Sequence, residues 1–160
     1  MKREIRLKIK SVRFESRVSL FSQGEDLSLT DEETRLEVQP ETLEIRSVGS
    51  ASEEDGRRVF SYEETEATGM AGSTTSLTYL LDRPELVTML REGAVSTALV
   101  FEEGKRHHCL YQTPFMPFEV CVYTLKVENK LEREKTLFLD YIIEIRGARA
   151  ERTKFYLEIY

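Results

Sequence analysis

The sequence predicts an all-β protein folded as a single domain over residues 1–160, and three observations carry that expectation. Apolar residues recur with a period of two rather than the 3.6 of a helix. Gly, Pro and short charged clusters separate the apolar stretches at the spacing by which one short strand turns into the next. The run from Phe60 to Phe118 concentrates both signals, in Ser61-Tyr62-Glu63-Glu64, Thr74-Thr75-Ser76-Leu77, Leu90-Arg91-Glu92-Gly93, Phe101-Glu102-Glu103-Gly104 and Tyr111-Gln112-Thr113-Pro114-Phe115.

Taken in order, Ile5, Leu7 and Ile9 alternate with Arg6, Lys8 and Lys10, which makes the opening segment a half-buried strand. Further strands or strand pieces are expected at Arg13 to Phe21, Thr34 to Val38, Thr42 to Val48, Arg57 to Thr68, Gly72 to Leu80, Thr97 to Phe101, Arg106 to Thr113 and Phe118 to Val127. Leu137, Leu139, Tyr141, Ile143 and Ile145 alternate with Phe138, Asp140, Ile142, Glu144 and Arg146. Phe155, Leu157 and Ile159 recur in the same way, with Tyr156 and Tyr160 on the outer face of the last strand. Gln23 to Glu33 and the small, acidic Ser47 to Gly56 read as linkers. Asp82 to Gly93 is ambiguous: an Asp cap, Pro84 in the first turn and a terminal Gly favour a short helix on local signals alone.

Charge narrows the function. The formal net charge is −6, which opposes an electrostatic hold on phosphate backbones and argues against a nucleic-acid partner. The distribution is uneven: residues 1–24 carry seven Lys or Arg against two Glu, and residues 25–66 carry four Arg against fourteen acidic residues. A charge run of this length is ordinarily a solvated face, here with an acidic interaction surface as its alternative. The charged alternation at the start is unlike a secretory signal, and no stretch approaches the roughly 18 apolar residues that cross a bilayer. The expected location is the cytoplasm, with no membrane insertion.

The order Tyr62-Glu63-Glu64, a Gly- and Thr-rich stretch around Gly72 to Thr75, Arg91-Glu92-Gly93, Phe101-Glu102-Glu103-Gly104, Tyr111-Gln112-Thr113-Pro114-Phe115 and Tyr123-Thr124 resembles the YwiB-like family of small bacterial calycin-like β-barrels. The likeness runs from about Val38 to Tyr160. It implies a single antiparallel, lipocalin-like barrel of about eight strands, and it implies that Leu86 to Arg91 is strand, against the local helix signal. It brings no activity with it. Phe115-Met116 stands where the family has Tyr-Gly, and Arg152-Thr153-Lys154 where it has an Asn, so any role of that loop or that Asn does not transfer.

A closed barrel is either filled by side chains or just wide enough for a small ligand. Tyr62, Glu64, Arg91, Tyr111, Thr113 and Tyr141 are the polar positions on otherwise alternating strands, and they are the candidate ligand-binding residues of the interior. A buried Arg91 needs a partner, and Glu64 is the natural one. With Tyr111 the pair would form a corner that grips the anionic head group of an amphipathic molecule, in the manner of a fatty-acid carrier. The bland alternative is that these side chains satisfy one another and plug the barrel.

Other chemistry finds less support. His107 and Cys109 could share a strand face, but His108 points the other way and no third ligand is near in sequence, so no metal site and no cofactor are expected. Cys109 and Cys121 flank the hairpin tip Pro114 to Pro117 at or near opposite positions. The default for them is two free thiols in a reducing compartment. No Gly-x-Ser-x-Gly elbow or phosphate-cradling loop is present, and Glu63 and Glu64 diverge to opposite faces, so catalysis is not the leading reading. Two expectations remain: an intracellular carrier or sensor of a small amphipathic or anionic ligand, and a structural or interaction module with a filled barrel. An unpaired edge strand would also offer a route to a homodimer.

Overall fold

The computed structural model describes residues 2–15, 40–65, 71–93, 95–146 and 148–160. Its ten strands are β1 (Lys2–Glu15), β2 (Glu41–Glu54), β3 (Arg57–Glu63), β4 (Thr74–Leu80), β5 (Arg83–Glu92), β6 (Ser96–Glu102), β7 (Arg106–Gln112), β8 (Pro117–Lys130), β9 (Thr136–Ile145) and β10 (Ala148–Ile159). Each pairs antiparallel with its neighbours in sequence, and β1 also pairs with β10, closing an up-and-down barrel. The strand number exceeds the eight or so that the resemblance implied, because every amphipathic run takes its own place in the ladder. A larger strand number widens the interior. The edge-strand route to a dimer is absent among the described residues, since a closed ladder has no edge. Among the described residues no helix is long and apolar enough to cross a membrane.

Two segment expectations need correction, and one ambiguous segment is resolved. Residues 2–15 form one strand rather than two, and the rest of Arg13 to Phe21 lies outside the described residues, as do Thr34 to Val38 and Gln23 to Glu33. Ser47 to Gly56 is not a linker: β2 runs through to Glu54, and the turn is only Asp55-Gly56, both at positive φ. The small residues there serve close approach, for a Cβ on Gly49 would overlap the Ser61 carbonyl oxygen and press on Leu7. Asp82 to Gly93 is strand from Arg83 onward, as the family resemblance implied, with Val87 and Met89 buried at a period of two. Here the packing of an apolar face overrides local propensity.

The interior is divided along its length. Leu7, Leu77, Val87, Phe101, Val122 and Leu139 are completely buried and fill the middle and one end. Each such side chain contributes about 1.5–3 kcal/mol on burial. That end is stopped by the β8–β9 turn, where Leu131 is 1% exposed. Around it, Arg58 Nη2 donates to Glu132 Oε1 at 2.6 Å and Tyr79 Oη to Glu132 Oε2 at 3.2 Å. The other end, where β1 finishes and β2 starts, is polar.

One seam differs from the rest of the wall. The β6–β7 ladder spans Ser96↔Gln112 and Thr97↔Tyr111. Beyond it, the β6–β7 turn bonds to β8 instead, Gly104 N to Thr124 O at 2.8 Å and Thr124 N to Lys105 O at 3.2 Å. The contact between His107 Nε2 and Glu102 Oε1, 3.0 Å, bridges the two strands there.

Candidate functional site: the polar mouth of the barrel

At the polar end the inward alternation of the strands brings charged and phenolic groups round one cavity of about 120 Å³. β3 supplies Tyr62 and leads into Glu64; β5 supplies Arg91, β7 Tyr111 and β9 Tyr141, and all five line the cavity. Thr113 does not line it. It sits past the end of β7, where its hydroxyl donates to Met116 O at 2.7 Å and accepts from the amides of Phe115 and Met116. This is the hydrogen bonding of a turn residue, and it removes Thr113 from the interior set.

Glu64 and Arg91 meet through Thr75. The buried Thr75 hydroxyl donates to Glu64 Oε1 at 2.7 Å and accepts from Arg91 Nε at 3.3 Å, while Arg91 Nη2 lies 3.6 Å from the same Glu64 oxygen. Their closeness follows from register: Thr75 pairs with Tyr62 on one side and with Arg91 on the other. The Arg91 guanidinium is therefore already answered by a carboxylate, which leaves it a weaker grip on an anion than the sequence suggested.

The sequence reading missed a second pair. Arg13 Nε lies 3.1 Å from Glu151 Oε1, close enough to attract though not aligned as a hydrogen bond. Thr153 donates to the same Glu151 oxygen at 3.0 Å. Both charged residues line the cavity, and Glu41 stands opposite Arg13 across β1 and β2. Continuing the alternation Ile5, Leu7, Ile9 to residue 13, and Leu157, Phe155, Thr153 back to residue 151, would have placed both residues inward.

The phenols are neutral donors at ordinary pH. Burial, and behind it the Glu64 carboxylate, pushes Tyr62 well above the usual 10.0. Burial first, then Tyr111, pushes Tyr141 up to about 12, and burial also raises Tyr111. Thr97, which pairs with both Arg91 and Tyr111 in the ladder, is 3% exposed, and its hydroxyl has no partner among the described residues.

The remaining candidates part company. Cys121 pairs with His108 and Cys109 with Val120, so the two thiols face opposite sides of the sheet and both are free. Among the described residues no three His, Cys, Asp or Glu side chains gather as a metal site. A roomier groove of about 660 Å³ lies on the outer wall beside Phe138 and Tyr156. Its Lys8 and Lys130 reach Glu44 and Glu134 at the surface, so it lacks the buried, convergent polar groups of the mouth.

Fold and site together define a small closed β-barrel with an apolar, filled half and a polar half that holds a cavity. The chain belongs to the family described as a domain of unknown function (DUF1934), whose model matches residues 28–157. It is similar in fold to the ywiB protein of Bacillus subtilis, whose crystal structure superposes with a TM-score of 0.68 at 20% identity, covering 98% of this chain and 92% of that one. The YwiB-like likeness seen in the sequence motifs is thus shown. No curated protein matches.

Proposed function

We propose that the protein binds a small amphipathic ligand in the polar mouth of the barrel and does no chemistry on it. The observation that carries this reading is the cavity itself, with Tyr62, Tyr111 and Tyr141 beside two charge pairs and an apolar floor that includes Met89 and Phe155. A concave site with apolar walls and a few convergent polar groups is the usual form of a ligand pocket.

Size decides what can enter. About 120 Å³ is below the roughly 300 Å³ of the smallest drug-sized pockets and close to the roughly 150 Å³ engineered cavity that takes benzene. A long-chain fatty acid does not fit such a space, but a molecule of about one ring does. Two free thiols accord with a reducing, intracellular setting.

The test is native mass spectrometry of gently purified protein against its denatured mass. A retained small mass that is present on the folded protein and lost on denaturation supports ligand binding. A bare protein mass favours the second reading, a filled barrel acting as an interaction module. The completely buried apolar half of the interior is the observation that favours that reading.

A further inference from the structure

The β6–β7 seam is the weak line of the wall. Both strands are held on their far sides, β6 to β5 from Glu102↔Leu86 to Thr97↔Arg91, and β7 to β8 from Arg106↔Tyr123 to Gln112↔Pro117. Between them only Ser96↔Gln112 and Thr97↔Tyr111 form rungs. That register, continued, would set Leu99 opposite Cys109 and Phe101 opposite His107, where the ladder has already ended. Every other pair of neighbouring strands runs a longer ladder.

Side chains stand where the rungs are missing. The buried Cys109 thiol lies against the Val100 backbone of β6 and turns to His107 O of its own strand at 3.7 Å. His107 Nε2 reaches Glu102 Oε1 at 3.0 Å, and Arg83 Nη2 lies 3.5 Å from the other oxygen of that carboxyl. The turn between the strands is fastened to β8 instead, through Gly104 N to Thr124 O and Thr124 N to Lys105 O. The seam is therefore a slit, pinned by two rungs at one end and by β8 at the other, with the His107–Glu102 contact spanning it. Local opening takes the line where backbone bonds and buried contacts are fewest.

We infer that the barrel opens sideways along this slit, residues 98–102 parting from residues 106–110, with the His107–Glu102 contact as the latch. The rest of the ladder stays closed during the movement. Leu99 and Tyr111 also line the mouth cavity, so the same movement widens that cavity from its side. The opening requires no ligand there.

The experiment uses the thiol already in the slit. In the full chain carrying Cys121→Ser, Cys109 is labelled with iodoacetamide at urea concentrations well below the unfolding transition. The control is Ala51→Cys in a chain that also carries Cys109→Ser and Cys121→Ser, because Ala51 is 1% exposed and has a rung on either side, to Arg3 and to Phe60. Cys109 is expected to react about tenfold faster than the control. Its rate should hardly change with urea, since a local opening exposes little surface. His107→Ala should speed the labelling further, beyond what its loss of global stability accounts for. Labelling of Cys109 that keeps pace with the control and climbs with urea as global unfolding does would overturn the sideways opening, and a rate unmoved by a folded His107→Ala would overturn the latch. Hydrogen exchange on the unsubstituted chain decides independently if a variant does not fold: slow exchange at the slit-facing amides of residues 98–102 and 106–110 would mean a complete ladder and no slit, whereas exchange there well ahead of β1 and β10 supports the opening.

Discussion

Arg58 and Glu132, 74 residues apart, share a 2.6 Å hydrogen-bonded ion pair that ties the β8–β9 turn across the filled end of the barrel. Burial pushes the Glu132 carboxyl up, but the hydrogen bond and charge of Arg58, with help from Tyr79, outweigh it and hold the group below its usual 4.5. A carboxyl lowered in the folded state stabilises above its unfolded pKa, and the contribution is lost as pH falls through the folded value. Wild type should therefore lose stability relative to Glu132→Gln as pH drops below about 4.5. At neutral pH the difference should be only about 0.5–1 kcal/mol, because the Glu132 side chain is 40% exposed and screened. Thermal unfolding of both proteins across the acid range checks this, and parallel curves would refute it.

The alkaline limb should be set by the buried phenols. Tyr62, Tyr79, Tyr111 and Tyr141 are all raised, chiefly by burial. Here the folded state holds its protons longer than the unfolded chain, so stability is full below the ordinary value of 10.0 and declines as pH climbs through the folded values. Tyr141→Phe should flatten that decline between about pH 10 and 12. Tyrosinate absorbance, followed alongside unfolding, should show phenols that ionise only as the barrel opens.

Removing Arg91 strands a charge. In Arg91→Ala the Glu64 carboxylate keeps the Thr75 hydroxyl but loses its cationic partner, and a loss of about 2 kcal/mol is expected, less than the 3–5 of fully buried pairs because Arg91 remains 15% exposed. The double variant Arg91→Ala with Glu64→Gln should be more stable than Arg91→Ala alone. Chemical denaturation of the full mutant cycle decides, and strict additivity would show that the pair does not interact.

Thr97 offers the opposite sign. Its hydroxyl is buried and has no partner among the described residues. Replacing it by the isosteric Thr97→Val should leave stability unchanged or raise it by about 1 kcal/mol. A clear loss of stability would mean that the hydroxyl is satisfied in the folded protein, and it can be read from the same denaturation curves.

Much of the barrel was legible because its core faces alternate without interruption. Leu137, Leu139 and Tyr141, or Phe155 and Leu157, are inward in the structure as their period of two requires. The failures came where one residue type serves two ends. The Gly, Ser and Ala of β2 read as a linker, yet Gly49 is small because Ser61 and Leu7 crowd it. Asp82 and Pro84 read as a helix start, yet they lie in a tight turn and at the second position of β5, where the Pro84 carbonyl accepts from Asn129 at 3.0 Å. At the site, the Glu64 and Arg91 partnership followed from the need to pair a buried charge. Arg13 and Glu151 went unseen because strands this long carry their alternation past the apolar residues that announce it, and no local signal marks which charged positions still face inward.

The closure of the ladder between β1 and β10, from Leu7 with Ile159 to Glu15 with Glu151, also sets an order of events. Those partners are far apart along the chain, and contacts so distant in sequence make folding slow. On the ribosome, β1 must wait until β10 has emerged. Until then the nascent sheet presents two unpaired borders, each a template for a neighbouring chain. The last strand is therefore as much a guard against aggregation during synthesis as a wall of the finished barrel.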